Sequence, residues 1–161
     1  MGSKSGSKLQ EEIKQSIPFQ SPKHELWLNM ARTTAVVQHR LEQMLRPYGL
    51  STTQYNVLRI LRGAERGRPG EGLGQSEIRD RLVAPVPDVP RILERMERAG
   101  WIARCRGEAD RRTAIAWISK CGLELLARID CEMEKQVDGL FCQVPEEEMD
   151  HFNELLMLAR Q

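Results

Sequence analysis

The chain has 161 residues, of which 40% are hydrophobic and 5% aromatic, and its formal net charge at pH 7 is +1. This length predicts one domain with appended helices, and the low aromatic content favours helices over a large sheet. No apolar run reaches the length of a membrane-spanning helix, and the N-terminal MGSKSGSK lacks the features of a signal peptide and of a myristoylation site, so we expect a cytoplasmic protein with no membrane partner.

The charged residues are unevenly distributed along the chain. Residues 59–112 carry 13 arginines and 9 carboxylates and contain no lysine, whereas residues 113–161 carry 4 basic and 10 acidic side chains. Arginine is favoured where a planar, forked donor meets phosphate. We therefore expect an anionic partner to bind the middle of the chain, although a solvated charged surface would produce the same counts.

The first 50 residues are predicted to form a tail and a long helix. Residues 1–20 are predicted to be a flexible tail, in which Leu9, Ile13 and Ile17 have the spacing of one short helix. Residues 21–50 carry the first long helix, with Ser21 as its N-cap and its end before the sequence PYG. Its apolar seam predicts packing against another helix and consists of Met30, Thr34, Val37, Leu41 and Met44.

Residues 51–118 are predicted to contain three helices and a β-hairpin. STTQYNVLRILRGA opens with a Ser/Thr cap, and QSEIRDRL and PDVPRILERMERAG are two shorter helices joined by a tight turn, which together form a helix-turn-helix unit. The strand-like runs WIARC and TAIAWI flank a tip that holds Asp110, Arg111 and Arg112. A helix-turn-helix followed by a charged hairpin is the winged-helix arrangement, so the predicted fold class is mainly α with a small β-wing.

Residues 119–161 are predicted to form two helices. Ser119 caps a helix that runs to about Cys142, and Pro145 opens the last helix, whose first glutamates favour its positive N-terminal end. The outer helices present more apolar surface than one chain of this size is able to cover. We therefore expect a homodimer, in which the long N- and C-terminal helices flank the winged helix-turn-helix and form the dimer interface.

The sequence contains no motif of an enzyme, a metal site or a cofactor site. It has no Gly-rich phosphate loop and no nucleophile elbow, and its three histidines have no ligand spacing. The four cysteines form no C-x-x-C pair, and at least three of them are expected to be small buried hydrophobic residues. Cys121 is a candidate redox residue, because Lys120 and a helix N-terminus would stabilise its thiolate.

The order of these elements and one continuous motif resemble the MarR family of bacterial transcriptional regulators. The motif is RILERMERAGWIARCRGEADRRTAIAWISKCG, residues 91–122, which is similar to the family's recognition helix ending in Gly, D-R-R wing and start of the dimer helix. With YGLSTTQYNVLRIL, the resemblance extends over about residues 24–160. It implies a homodimer that binds a pseudo-palindromic operator in double-stranded DNA, usually as a repressor that is released by a small-molecule effector.

The resemblance also implies DNA-binding positions. Arg112 would enter the minor groove with Asp110 holding its guanidinium, since narrow minor grooves attract arginine, and Arg111 would reach phosphate. Arg91 would contact guanine or phosphate, and Arg95 would contact DNA or else pair with glutamates of its own helix. The full predicted set is Gln75, Ser76, Asp88, Arg91, Arg95, Arg104, Arg106, Asp110, Arg111 and Arg112.

The start of the recognition helix departs from the family pattern. APVPDVPR places Pro85, Pro87 and Pro90 where family members tend to carry Ser and Thr. A helix that begins at Pro87 tolerates Pro90 in its first turn, but it loses N–H donors to phosphate. Asp88 also brings a negative charge near DNA unless it accepts from a cytosine amino group. A winged-helix protein-interaction module is therefore one alternative, and a thiol-based redox regulator acting through Cys121 is another.

The family resemblance implies an effector pocket between the dimer helices and the winged helix. Trp27, Arg32, His39 and Tyr55 lie on elements that would line it. Packing or surface exposure is the alternative explanation for each of these four side chains.

Overall fold

The structure, a computed structural model, describes residues 7–106 and 114–161. The contacts between its residues divide the chain into two compact units, Met1–Arg40 and Leu41–Gln161. Helices make up most of the described chain and accompany one small antiparallel sheet. These elements confirm the predicted fold class.

The first unit contains a short helix and most of a long one. The short helix α1 (Lys8–Glu12) buries Leu9 and ends before Ile17, which is 71% exposed. The prediction that Ile17 continues this helix is wrong, because the following Pro18 disfavours helical backbone angles at Ile17. The long helix α2 (Pro22–Leu45) begins after Ser21, whose hydroxyl oxygen accepts the backbone N–H of His24 at 3.2 Å, as expected of an N-cap.

The second unit continues from the end of α2 into a capped helix. A 3-10 turn (Arg46–Tyr48) and Gly49, whose φ is +69°, lead to α3 (Thr52–Gly67). Ser51 accepts the backbone N–H of Gln54 at 3.2 Å, and the Gln54 side chain accepts the backbone N–H of Ser51 at 2.9 Å. This reciprocal capping box satisfies donors at the helix start that have no intrahelical partner.

The winged helix-turn-helix follows α3. Its elements in chain order are β1 (Leu73–Gly74), α4 (Gln75–Arg81), α5 (Val89–Arg98), β2 (Ile102–Arg106) and β3 (Ala114–Ile118). The strands form one antiparallel sheet in the order β1-β3-β2, in which Ile102 pairs with Ile118 and Arg104 pairs with Ala116. The predicted hairpin strands are thus confirmed, and β1 adds a third strand on the far side of β3.

The loop between α3 and β1 is fixed against the sheet. The indole Nε1 of Trp117 on β3 donates to the carbonyl oxygen of Gly70 at 2.9 Å. A Cβ atom at Gly72 would lie 2.6 Å from this indole, so the close approach requires glycine. Within the loop, Arg68 pairs with Glu71 at 2.9 Å.

Two helices complete the described chain. The helix α6 (Lys120–Phe141) is capped by Ser119, as predicted, and α7 (Met149–Leu158) follows a 3-10 turn (Glu146–Glu148). The prediction that Pro145 opens the last helix directly is wrong, because its backbone is extended and its carbonyl accepts the N–H of Glu148 in a 3-10 bond of 3.0 Å.

One hydrophobic core lies in the second unit, between α3, α4, α5, the sheet and the first half of α6. Its fully buried side chains include Leu45, Val57, Leu58, Leu61, Leu73, Ile78, Leu93, Met96, Leu126 and Ile129. The second half of α6 and all of α7 leave apolar side chains exposed, including Val137, Phe152, Leu155, Met157 and Leu158. In the part of the chain that the structure describes, no helix combines the length and the apolar character that crossing a bilayer requires.

Candidate nucleic-acid interface

The helix α5 is held by a buried apolar stripe. Val89, Leu93 and Met96 are each at most 2% exposed, and Ile92 packs at the margin of the core. The turn before α5 is tied to α3, because the backbone N–H of Val83 donates to Oδ1 of Asn56 at 3.0 Å. The opposite face of α5 is thereby presented outward from a rigid base.

The helix α5 begins at Val89, two residues after Pro87. Asp88 is its N-cap and its Oδ1 accepts the backbone N–H of Arg91 at 3.1 Å. Val89 and Pro90 are therefore the first two helical residues, where a missing N–H costs no intrahelical bond. The Asp88 carboxylate, predicted to face DNA, has a structural role that the sequence reasoning did not assign: one of its oxygens caps the helix.

The exposed face of α5 carries Arg91, Arg95 and Arg98. Their spacing of four and three residues places them along one side of the helix. The Nε of Arg98 donates to the backbone carbonyl oxygen of Glu94 at 3.4 Å, and not to the Glu94 carboxylate. Among the described residues, no carboxylate pairs with Arg95 or Arg98, and Glu97 instead pairs with Arg104. The arginine face of α5 is thus open to solvent.

Arg104, one of the predicted DNA-binding residues, is largely buried and paired within the protein. Its side chain is only 9% exposed and its Nη1 lies 3.5 Å from Oε2 of Glu97. The alternation of the β-strand explains this position, because Arg104 lies two residues after the buried Ile102 and on the same side of the sheet. A phosphate contact by Arg104 would require this pair to break, and its assignment to DNA stays a prediction.

The remaining predicted positions lie on α4 and at the wing. Gln75 and Ser76 open α4, where Gln75 is half-buried and Ser76 exposed. Arg106 is the last residue of β2 and its backbone pairs with Ala114. Asp110, Arg111 and Arg112 lie outside the described residues, so their assignment to DNA stays a prediction.

A cleft of about 600 Å³ lies between α3 and α6. Three arginines of α3 face three carboxylates and two apolar side chains of α6 across it, and the lining is Arg59, Arg62, Arg66, Asp130, Met133, Glu134, Val137 and Asp138. At its centre, Arg62 donates to both oxygens of Asp130, at 2.6 and 3.1 Å. This forked geometry is the strong form of an arginine–carboxylate pair.

The cleft has a defined electrostatic character. The hydrogen bond from Arg62 lowers the pKa of Asp130, and the charges of Arg62, Arg59 and Arg66 lower it further against the opposing effect of burial. Nearby, Glu132 accepts the phenolic hydroxyl of Tyr48 at 3.0 Å and raises the pKa of that phenol. The two pairs connect α6 to α3 and to the turn that precedes it.

The four predicted effector residues have separate local environments. In the first unit, Trp27 is 64% exposed and stacks on His24, Arg32 pairs with Glu12 at 2.9 Å, and His39 is exposed. In the second unit, Tyr55 is buried and its hydroxyl accepts Nη1 of Arg59 at 2.9 Å. Their role in effector binding stays a prediction.

All four cysteines are exposed, which contradicts the prediction that at least three of them are buried. Cys105, Cys131 and Cys142 lie on outward-facing positions of β2 and α6 or just after α6, away from the apolar stripes of these elements. Cys121 is the second residue of α6, as predicted, and its redox role stays a prediction. In residues 7–106 and 114–161, no group of three His, Cys, Asp or Glu side chains is placed to hold a metal ion.

The sequence matches known regulators over most of its length. A profile described as the MarR family matches residues 48–113. The HTH-type transcriptional regulator PecS of Dickeya dadantii (strain 3937) is 28% identical over 127 residues, which cover 79% of this chain and 75% of PecS. The chain is thus similar to MarR-family regulators. These relatives are transcriptional regulators, which confirms the prediction that this chain is not an enzyme.

Solved structures of MarR proteins share the fold of this chain. A MarR transcription factor from Planctomyces limnophilus is 27% identical with a TM-score of 0.67, and the match covers 87% of this chain and 98% of that one. Sco3205, a MarR family transcriptional regulator from Streptomyces coelicolor whose structure was determined in complex with DNA, is 19% identical with a TM-score of 0.75 over 91% of each chain. These neighbours confirm the winged-helix architecture.

Sequence reasoning missed two ion pairs of this chain. Arg62 and Asp130 are 68 residues apart, and only the packing of α3 on α6 brings them together. Arg104 and Glu97 were both visible in the matching motif, and the alternation of β2 was the available signal that Arg104 faces inward.

Proposed function

We propose that this chain binds a pseudo-palindromic operator in double-stranded DNA as a homodimer and represses transcription. The observation that carries the proposal is the open arginine face of α5, Arg91, Arg95 and Arg98, on a helix whose other face is locked into the core. An α-helix fits the major groove of B-DNA, and arginine is suited both to guanine O6 and N7 and to phosphate. The D-R-R tip of the hairpin would enter the adjacent minor groove.

The capped start of α5 supports this proposal over a protein-interaction module. The three prolines precede or open the helix without removing an intrahelical hydrogen bond. One carboxylate oxygen of Asp88 accepts the backbone N–H of Arg91. The prolines and Asp88, which are the residues that favoured the alternative of a protein-interaction module, therefore have a structural role at the start of α5. They fix the first turn of α5 and leave its arginine side chains free.

The apolar surface of α6 and α7 supports the homodimer. No residue of α7 is buried. Its large apolar side chains are between 38% and 64% exposed, and they are Phe152, Leu155, Met157 and Leu158. On α6, Val137 is 45% exposed, whereas Leu126 and Ile129 of the same stripe are fully buried. Apolar surface of this extent is characteristic of protein–protein interfaces. A second copy would cover it, as expected of a regulator that reads two half-sites.

The direct test is a fluorescence titration of the protein against the DNA upstream of its own gene at two salt concentrations. We expect binding that is tighter than to unrelated DNA and a footprint of two half-sites about one helical turn apart. Arg95→Gln should weaken binding about tenfold or more, whereas Arg160→Gln, which removes the same charge beyond α7, should leave it nearly unchanged. Equal and weak binding to both DNAs at low salt only would refute the proposal.

The cleft between α3 and α6 is the proposed effector site. Its volume of about 600 Å³ is that of a small-molecule pocket. Arg62 and Arg59 already have partners within the protein, whereas Arg66 pairs with no carboxylate among the described residues, so Arg66 suits an anionic group of a ligand that lies beside the apolar Met133 and Val137. We expect benzoate, as a probe of small aromatic carboxylates, to raise the melting temperature and to release the operator. Arg66→Gln should weaken both effects in parallel. A probe that releases DNA equally from wild type and Arg66→Gln would exclude this cleft as the site.

A further inference from the structure

The pair between Arg104 and Glu97 lies at the junction of the proposed recognition helix and the wing. Arg104 is the third residue of β2 and is opposite the buried Ala116 of β3. Glu97 belongs to the last turn of α5, between the exposed Arg95 and Arg98. The contact of 3.5 Å therefore joins α5 directly to the strand from which the wing extends.

The burial of Arg104 makes this contact consequential. Its side chain is 9% exposed, whereas that of Glu97 is 42% exposed. Among the described residues, Nε and Nη1 of Arg104 have no hydrogen-bond acceptor, so the Glu97 carboxylate is the charge that compensates the buried guanidinium. A charge removed from water depends strongly on its partner, because few other groups stabilise it there. The position of α5 relative to β2 is thus restricted by an electrostatic requirement as well as by apolar packing.

We propose that Arg104 is a positioning residue for operator recognition: it acts through Glu97 to hold α5 at a fixed angle to the wing, and it does not itself contact DNA. The inference rests on the proposed function. Simultaneous reading of the major groove by α5 and of the minor groove by the wing requires one fixed angle between them. A shift of the C-terminal end of α5 by a fraction of the helix diameter would move Arg95 and Arg98 away from the DNA groups that they contact, and the fold would remain intact.

The decisive variant is Glu97→Gln, because positioning and simple electrostatics predict opposite signs. Glu97 lies between arginines of the DNA-facing helix, so loss of its negative charge alone would tighten binding to any DNA. If Glu97 instead positions α5 through Arg104, specific binding should weaken about tenfold, which is about 1.4 kcal/mol, while binding to unrelated DNA stays equal or increases. Glu124→Gln is the matched control, because Glu124 pairs with Lys120 on the surface of α6 at 3.9 Å.

Variants of Arg104 complete a double-mutant cycle. Arg104→Met keeps much of the side-chain length and should lower the ratio of specific to non-specific affinity about tenfold, and the double variant with Glu97→Gln should be no worse than either single variant. Arg104→Lys, which retains the charge but not the fork, should recover part of the ratio. Thermal unfolding of each variant identifies any variant that does not fold. If the Arg104 variants do not fold, the effect of Glu97→Gln on operator binding still tests the inference.

Two results would overturn the inference. One is tighter operator binding by Glu97→Gln, and the other is additive losses in the cycle with a reduced salt slope for Arg104→Met, which would identify Arg104 as a direct phosphate contact. These results differ from failure of the proposed function, in which the wild-type chain itself shows no preference for operator DNA.

Discussion

Replacement of Gly122 by alanine tests how α6 is seated on the winged helix. A Cβ atom at Gly122 would lie 2.2 Å from the carbonyl oxygen of Trp101, where ordinary van der Waals contact begins at 3.4 Å. This carbonyl has little freedom to withdraw, because it accepts the backbone N–H of Ser119 at 3.0 Å. The Ser119 hydroxyl in turn donates to the Gly100 carbonyl at 2.6 Å and accepts the N–H of Gly122 at 3.0 Å.

The expected cost follows from these contacts. Overpacking of a well-packed site costs about 1–3 kcal/mol, and a clash with backbone belongs at the upper end of that range. Alanine recovers about 1 kcal/mol through its better helix propensity. We therefore expect Gly122→Ala to lower the free energy of unfolding by about 2 kcal/mol, which corresponds to about 4–8 °C in melting temperature for a chain of this size.

Gly139→Ala is the matched control in the same helix. A Cβ atom at Gly139 meets no atom within 4 Å, so this variant should gain about 0.5–1 kcal/mol from helix propensity. Chemical denaturation monitored by circular dichroism, at one protein concentration, measures the free energy of unfolding of both variants. A Gly122→Ala protein as stable as wild type would refute the close approach of α6 to the backbone of Trp101.

Three further predictions concern other contacts of the second unit. Asp130→Asn should lower the free energy of unfolding at pH 7 by about 1–2 kcal/mol, because it breaks the forked pair with the largely buried Arg62. Since the pKa of Asp130 is lowered in the folded state, this contribution is present above the unfolded pKa of 3.8 and is lost as the pH falls through the folded value, so variant and wild type should converge in acid unfolding curves. Asp88→Ala should destabilise the protein by about 1 kcal/mol in denaturant unfolding through loss of the α5 cap, and Asp88→Ser should retain most of that stability. Trp117→Phe should lose about 1 kcal/mol and accelerate hydrogen exchange in residues 70–74, since its indole no longer donates to Gly70; unchanged exchange there would contradict the role of this bond.

The helices were predictable because their signals are local. The apolar positions of α3 and α5, the caps Ser51 and Ser119, and the stop at Gly100 each depend on residues within one or two turns of one another. Prediction failed where two local signals competed, as at Ile17 before Pro18, and at Pro145, which begins a 3-10 turn rather than the last helix.

The candidate site was predictable in part. The periodicity of α5 alone is enough to separate its buried stripe from its arginine side, because the two sets of residues recur at helical spacing. The charge of Arg104 and its place in the hairpin predict a DNA contact, whereas the strand alternation directs its side chain inward. The four cysteines were expected inside on the average behaviour of the residue type, and all are exposed.

The sequence by itself determined the order of the elements, the helix caps and the resemblance to a winged-helix family, because periodicity, caps and a motif of contiguous residues are properties of the chain alone. Only the tertiary structure decided which charges meet. Arg62 pairs with Asp130, which is 68 residues away in the sequence. The carboxylate of Glu97 on α5 pairs with the guanidinium of Arg104 on β2 and compensates its charge. Such pairs depend on how elements pack and on how far each group is removed from water, and neither quantity is encoded in local spacing.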